Sequence, residues 1–210
     1  MKIEPKGLVL HTEPNLSETN DFRSNLETVF LDRDGVINRK MPEGQYVTGW
    51  EHFVLLPGVS EAIGRLNQAG LRVLVVTNQR GIALGLYTAA EVDAIHGQLE
   101  DELMRHGAHV DGFYFCPHDK RECDCRKPLP GLFKQAQAQF PEVDTVTSLI
   151  VGDSLSDIEF GANLGLKTIF LEGDETARLH QKPGASKAAE LADFRFSTLP
   201  DAVDWILGSS

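Results

Sequence analysis

Five short apolar runs constrain this chain more than any other feature. Residues 28–31, 71–76, 112–115, 148–151 and 167–171 are dominated by Val, Ile, Leu and Phe, and amphipathic stretches separate them. A strand that is apolar along its whole length needs cover on both faces, and strands alternating with helices pack as a parallel sheet. The helical stretches carry their own end signals. Val59, Ala62, Ile63 and Leu66 share one face ahead of Gly70, a natural C-terminal cap. Thr88 and Glu91 make a capping box before Val92, Ile95, Leu99 and Leu103, whose spacing assigns them to the core. Residues 131–140, 157–164 and 200–207 complete the helices, and 192–196 offer an edge strand. The predicted fold class is α/β, a parallel sheet with helices on both faces. Residues 1–27 lack sustained periodicity and read as a partly disordered N-terminal extension. Residues 28–210 then form one domain, long enough to bury a sizeable core.

Charge and cysteine placement exclude several classes of function. Lys plus Arg number 20 against 31 Asp plus Glu, a formal net charge of −11 that repels phosphate backbones and anionic lipid. Nucleic-acid and membrane partners are disfavoured, and no apolar stretch approaches the ~20 residues of a membrane helix. The 3 cysteines, Cys116, Cys123 and Cys125, lie close together, whereas a disulfide framework spreads an even number along the chain. These features imply a cytoplasmic location. They leave the oligomeric state open, with a monomer compatible.

Ligands of open parallel sheets bind beyond the carboxyl ends of the strands. Four of the five predicted strands end in polar chemistry: Asp32-Arg33-Asp34, Thr77-Asn78-Gln79, Cys116-Pro117-His118 and Gly152-Asp153-Ser154. An isolated Asp-x-Asp-Gly is equally an ordinary turn, and an acid at a helix start, such as Asp157, is often only a dipole partner. Clustered acids repel one another unless a cation neutralises them, and Mg²⁺, which prefers oxygen ligands, suits Asp32, Asp34, Asp153 and Asp157. Thr77, Asn78 and Lys127 add a hydroxyl, an amide and a cation. Donors, cation and metal together suit a transferring phosphoryl group.

Four ordered segments carry a family resemblance: Phe30 to Asn38, Val76 to Gln79, Arg126-Lys127-Pro128 and Val151 to Asp157. Their sequence and order resemble the motifs of the haloacid dehalogenase (HAD) superfamily. The resemblance implies a Rossmann-like fold and a nucleophilic Asp32 that forms an aspartyl-phosphate. It makes Asp34 the acid that protonates the leaving group and later activates water, with Thr77 and Lys127 holding the phosphoryl. It places Mg²⁺ on the Asp32 carboxylate, the Asp34 backbone carbonyl and Asp153, with Asp157 in support. Phosphate monoesters hydrolyse extremely slowly unaided, and an anchored carboxylate divides the reaction into two easier displacements. Phospho-accepting receiver domains, which signal rather than turn over, are the alternative from another class.

Cys116, His118, Cys123 and Cys125 offer three thiolates and an imidazole, the number and softness of a closed tetrahedral zinc site. Such a site is structural, folding the loop that carries Arg126 and Lys127. Three merely buried cysteines beside a surface histidine are the plainer reading, which such clustering does not favour. The loop resembles the zinc-containing branch of the superfamily, which holds heptose bisphosphate and histidinol-phosphate phosphatases. Segments 77–85 and 127–131 are nearer the heptose enzymes. The short loop between His118 and Cys123 is nearer the histidinol enzymes, and Ser154 stands where heptose enzymes commonly place a lysine. The expected substrate is a small phosphorylated metabolite, a heptose 1,7-bisphosphate first and histidinol phosphate second. Intervals between motifs leave little room for a cap domain. The loop over residues 38–57 becomes the wall of the site, with Tyr46 as its preferred contact. Its other aromatics, Trp50 and Phe53, suit the wall or the core equally. Asn78, Gln79, Arg80, Arg126 and Lys40 are the remaining expected substrate contacts.

Overall fold

In the computed structural model the described residues are 16–173 and 184–208, with side chains described from residue 20 onward. The chain forms β1 (Thr28–Leu31), α2 (Val59–Gln68), β2 (Arg72–Asn78), α3 (Ala89–Arg105), β3 (Gly112–Cys116), α4 (Gly131–Gln139), β4 (Ser148–Gly152), α5 (Leu155–Leu164) and β5 (Lys167–Leu171). It is preceded by α1 (Leu16–Ser24) and completed by α6 (Ala185–Leu191), β6 (Phe194–Phe196) and α7 (Leu199–Leu207). The sheet order is β3-β2-β1-β4-β5-β6, and every pair is parallel. The order reverses between β2 and β4 on either side of β1, which is where ligands of such sheets bind.

Alternation along the strands divides the core in two. Val29, Leu31, Val73, Val75, Leu149 and Val151 face a layer built from α2, α3 and α7, including Ile63, Leu99 and Val203. Phe30, Leu74, Val76 and Ile150 face the opposite layer, where Phe133 of α4 and Phe160 of α5 cover them. Because both faces are buried, the strands read as continuous apolar runs. Each such side chain stabilises the fold by about 1.5–3 kcal/mol relative to exposure.

The helix ends follow the sequence signals. Thr88 caps α3 with a reciprocal Glu91 bond, and Thr198 does the same for α7 with Asp201. Strand β2 continues two residues beyond the expected 71–76, because Thr77 and Asn78 still pair with Phe115 and Cys116. Part of the expected extension folds: in α1, Phe22 packs on the core and Arg23 Nη1 donates to the Trp205 carbonyl at 2.9 Å. Expectations for residues 1–15 lie outside the described residues. Trp50 and Phe53 stack at 4.9 Å and belong to the core rather than the site wall. No helix among the described residues is long and apolar enough to cross a membrane.

Candidate active site

Register brings the chemistry together. Leu31 lies opposite Val75 and Val151, so Asp32, Thr77 and Asp153 emerge at one end of the sheet. The Asp32 N–H still donates to the Val151 carbonyl at 2.9 Å, anchoring the residue at the strand terminus. The chain then turns at Gly35, where φ is +103° and a Cβ would stand 2.1 Å from Asp153 Oδ2. Glycine is required there twice over, for the left-handed conformation and for the approach of Asp153.

Lys127 is the hub. Its ammonium is buried and reaches Asp32 Oδ1 at 2.9 Å, the Val76 carbonyl at 2.6 Å and Asp157 Oδ1 at 2.6 Å. Burial disfavours the ammonium, yet Asp157 and Asp32 hold its pKa above the ordinary lysine value. Burial likewise opposes the charge on Asp157, but Lys127 and Ser154 hold its carboxyl below the usual range. Its Oδ2 accepts from the Ser154 N–H at 3.1 Å and hydroxyl at 2.5 Å, closing the first turn of α5. Asp32 behaves differently: burial, then Asp157, and also Asp153 and Asp34, push it up to about 7 against the pull of Lys127.

Carboxylate oxygens of Asp32, Asp153 and Asp157 lie within 4.8 Å of one another. Lys40 reaches in from the 38–57 loop to pair with Asp153, so the trio already attracts a cation. Hard oxygen donors at this spacing fit Mg²⁺.

Asp34 points its carboxylate into a set of donors. Oδ1 accepts from Arg33 Nη2 and Asn38 Nδ2, and Oδ2 from Arg33 Nη2 and Gln79 Nε2, all at 3.0 Å. Burial opposes ionisation, but Arg33, Asn38 and Gln79 together keep the pKa below the ordinary aspartate value.

The cysteine loop closes a second cluster. One donor atom each from Cys116, His118, Cys123 and Cys125 lies within 4.8 Å of the others. Sγ of Cys116 is 3.5 Å from that of Cys123 and 3.2 Å from that of Cys125, and His118 Nδ1 is 3.3 Å from Cys125 Sγ. Zn–S bonds of about 2.3 Å set tetrahedral edges slightly longer than these, and three sulfurs with one imidazole are the donor set zinc takes. Gly131 opens α4 against this loop; a Cβ there would stand 2.6 Å from the Cys125 Cα.

A cavity of about 740 Å³ lies over these groups. All six expected substrate contacts border it, but they divide by what their side chains hold. Asn78 clamps the Lys127 backbone, donating to its carbonyl at 3.1 Å and accepting from its N–H at 3.0 Å. Gln79 is buried and bonded to Asp34, Thr77 and Tyr87. Lys40 holds Asp153 rather than the outer wall. Arg80 lies on the wall and makes a fork with Asp119, at 2.5 and 3.0 Å. Tyr46 and Arg126 also line the cavity, with Arg126 within 3.5 Å of the His118 carbonyl. Lys120 and Arg121 of the cysteine loop line it as well, as does Tyr87, and the sequence reading passed over all three, together with Arg33 and Asn38. Arg33 was in plain view between the two aspartates, and the charge of a side chain between two acids was the available signal.

Comparison with known proteins joins this geometry. Residues 124–199 match the family described as HAD-hydrolase-like. The D-glycero-alpha-D-manno-heptose-1,7-bisphosphate 7-phosphatase of Mycobacterium tuberculosis (strain ATCC 25618 / H37Rv) is 44% identical over 137 residues, 65% of this chain and 72% of the relative. The chain belongs to the HAD superfamily. As a HAD phosphatase it is a phosphoric monoester hydrolase, and the expected fold and chemical class are borne out. A beta-form heptose bisphosphate phosphatase from Bordetella bronchiseptica is 38% identical over 141 residues, covering 67% of this chain and 77% of that one. The solved structure of the D,D-heptose 1,7-bisphosphate phosphatase from B. bronchiseptica, complexed with magnesium and phosphate, aligns with a TM-score of 0.75 at 30% identity. It covers 88% of this chain and 100% of that one.

Proposed function

We propose that this HAD phosphatase removes the 7-phosphate of D-glycero-D-manno-heptose 1,7-bisphosphate through an aspartyl-phosphate on Asp32. The observation that carries the chemistry is the convergence of Asp32, Thr77, Lys127 and Asp153 at one end of the sheet, in a chain similar to a phosphatase that binds magnesium and phosphate. A carboxylate oxygen of Asp32 attacks phosphorus, and the departing sugar oxygen takes a proton from Asp34. Water then gives a proton to Asp34 and attacks the same phosphorus, restoring Asp32 and releasing phosphate. Thr77 and Lys127 hold the transferring oxygens. Asp32, the Asp34 carbonyl and Asp153, supported by Asp157, would hold Mg²⁺, which would neutralise phosphoryl charge. Cys116, His118, Cys123 and Cys125 would hold a structural zinc.

The choice of substrate follows from the wall. Arg80, Lys120, Arg121 and Arg126 border the cavity and suit the second dianion of a bisphosphate. Histidinol phosphate brings a cationic amine that the same wall repels. A cytoplasmic location is part of the reading, supported by the acidic charge and the free cysteines.

Purified protein with Mg²⁺ should show kcat/KM for heptose 1,7-bisphosphate at least about tenfold above that for histidinol phosphate, roughly 1.4 kcal/mol in transition-state binding. Asp32→Asn serves as the control and should be inactive on both. Equal or reversed efficiencies would transfer the assignment to histidinol phosphate. Full turnover by the Asp32→Asn protein would sink the covalent mechanism.

A further inference from the structure

Asp34 is gripped by two donors from its own segment and by one from the residue that follows β2, Gln79. Gln79 is 2% exposed, and its Nε2 has two hydrogens and two acceptors: Asp34 Oδ2 at 3.0 Å and Thr77 Oγ1 at 2.8 Å. Both bonds exist only while the amide nitrogen faces the site. The opposite end of the amide is fixed by Tyr87, whose hydroxyl donates to Gln79 Oε1 at 2.8 Å. Burial pushes the Tyr87 phenol up to about 12, so it remains a donor wherever the enzyme is folded and active. The ring has a fitted seat. Gly81 lies outside the left-handed region, yet a Cβ there would stand 2.1 Å from Tyr87 Cε1. This glycine serves the approach of the ring, not the bend of the chain.

We propose that Gln79 and Tyr87 are positioning residues for leaving-group protonation: Tyr87 sets the orientation of the Gln79 amide, and the amide aims Asp34 and ties it to Thr77. The proposal rests on the phosphatase reading above and adds residues outside the reacting set. Without the Tyr87 hydroxyl, the Gln79 amide is free to rotate and present Oε1 to the Asp34 carboxylate. Two acceptors then face each other, and Asp34, still held by Arg33 and Asn38, loses its tie to Thr77 and its aim. The Tyr46 ring, 6.1 Å from that of Tyr87, carries the arrangement to the cavity wall.

The test separates proton delivery from general damage by leaving group. A sugar alkoxide needs a proton as it departs, whereas p-nitrophenolate leaves as a stable anion, and kcat/KM reports the steps through transfer to Asp32. Tyr87→Phe keeps the ring in its seat and removes only the hydroxyl; Gln79→Leu keeps the volume and removes the amide. In each, kcat/KM for a sugar phosphate should fall about tenfold further than kcat/KM for p-nitrophenyl phosphate, a fraction of the 10²–10⁴ that general acid catalysis supplies. Equal losses on the two esters, or no loss on the sugar phosphate, would overturn the proposal. If Tyr87→Phe does not fold, Gln79→Leu decides by the same comparison. A wild-type protein that hydrolyses neither ester would remove the phosphatase reading itself, a result distinct from equal losses in the variants.

Discussion

His96 shows how far a single side chain can depart from its ordinary chemistry. It lies on the buried face of α3, 4% exposed, stacked 4.5 Å from Phe113. Burial, and then the nearby Arg33 guanidinium, push its pKa down to about 3 against a weaker pull from Asp34. The native state therefore keeps His96 neutral at pH values where the unfolded chain protonates it. Stability from this residue is complete above about pH 6.5 and is lost as pH falls toward 3, with a slope of up to about 1.4 kcal/mol per pH unit. Denaturant unfolding at pH 7, 6 and 5 should show a steeper decline for wild type than for His96→Phe. Parallel declines would assign the acid sensitivity to other groups. At this scale the sequence was half legible. Asp32, Asp34, Thr77 and Asp153 announced themselves by residue type at strand ends, and Lys127 by its place after the cysteine loop. What each side chain holds did not, because Asn78, Gln79 and Lys40 are engaged by groups distant in the chain.

Elements were legible where burial imposes a pattern. Strand β5 occupies the predicted residues 167–171, and the α3 capping box forms as its spacing requires. Among the described residues two short α-helices escaped. Helix α1 carries few apolar residues, and α6 packs through small ones, Ala188 being buried beside Ile158 and Phe170, so neither shows a stripe. The cysteine loop is the element that a bound metal would stabilise most. It ends in Arg126 and Lys127, and the Asn78 clamp, the Arg80–Asp119 fork and the Gly131 contact hold it near the sheet. Elemental analysis should find about one zinc per chain. Cys123→Ala should lose that zinc, lower the Tm and, by loosening Lys127, lower kcat. A metal-free wild type with unchanged Tm would contradict the zinc assignment.

Over the whole molecule, the N-terminal helix locks onto the last one. Arg23 donates to the Trp205 carbonyl and lies 5.6 Å from the Trp205 ring, which itself packs 4.1 Å from Phe194 at the sheet edge. Deleting residues 1–25 removes the hydrogen bond, the cation–π contact and the Phe22 packing. The loss should be about 1–2 kcal/mol, a fall in Tm of roughly 2–8 °C, with kcat preserved because no reacting group is touched. An unchanged Tm would show that α1 contributes nothing to the fold.

The central place of β1 also has a consequence in time. Thr28 pairs with Arg72 on one side and with Ser148 on the other, so the earliest strand of the sheet to be synthesised waits for a partner made far later. At ribosomal rates of about 5–20 residues per second, that wait is on the order of ten seconds, during which Val29, Phe30 and Leu31 have no complete shelter. The strand that ends at Asp32 is thus the one that waits longest for its second neighbour, and its shelter is complete only when β4 arrives.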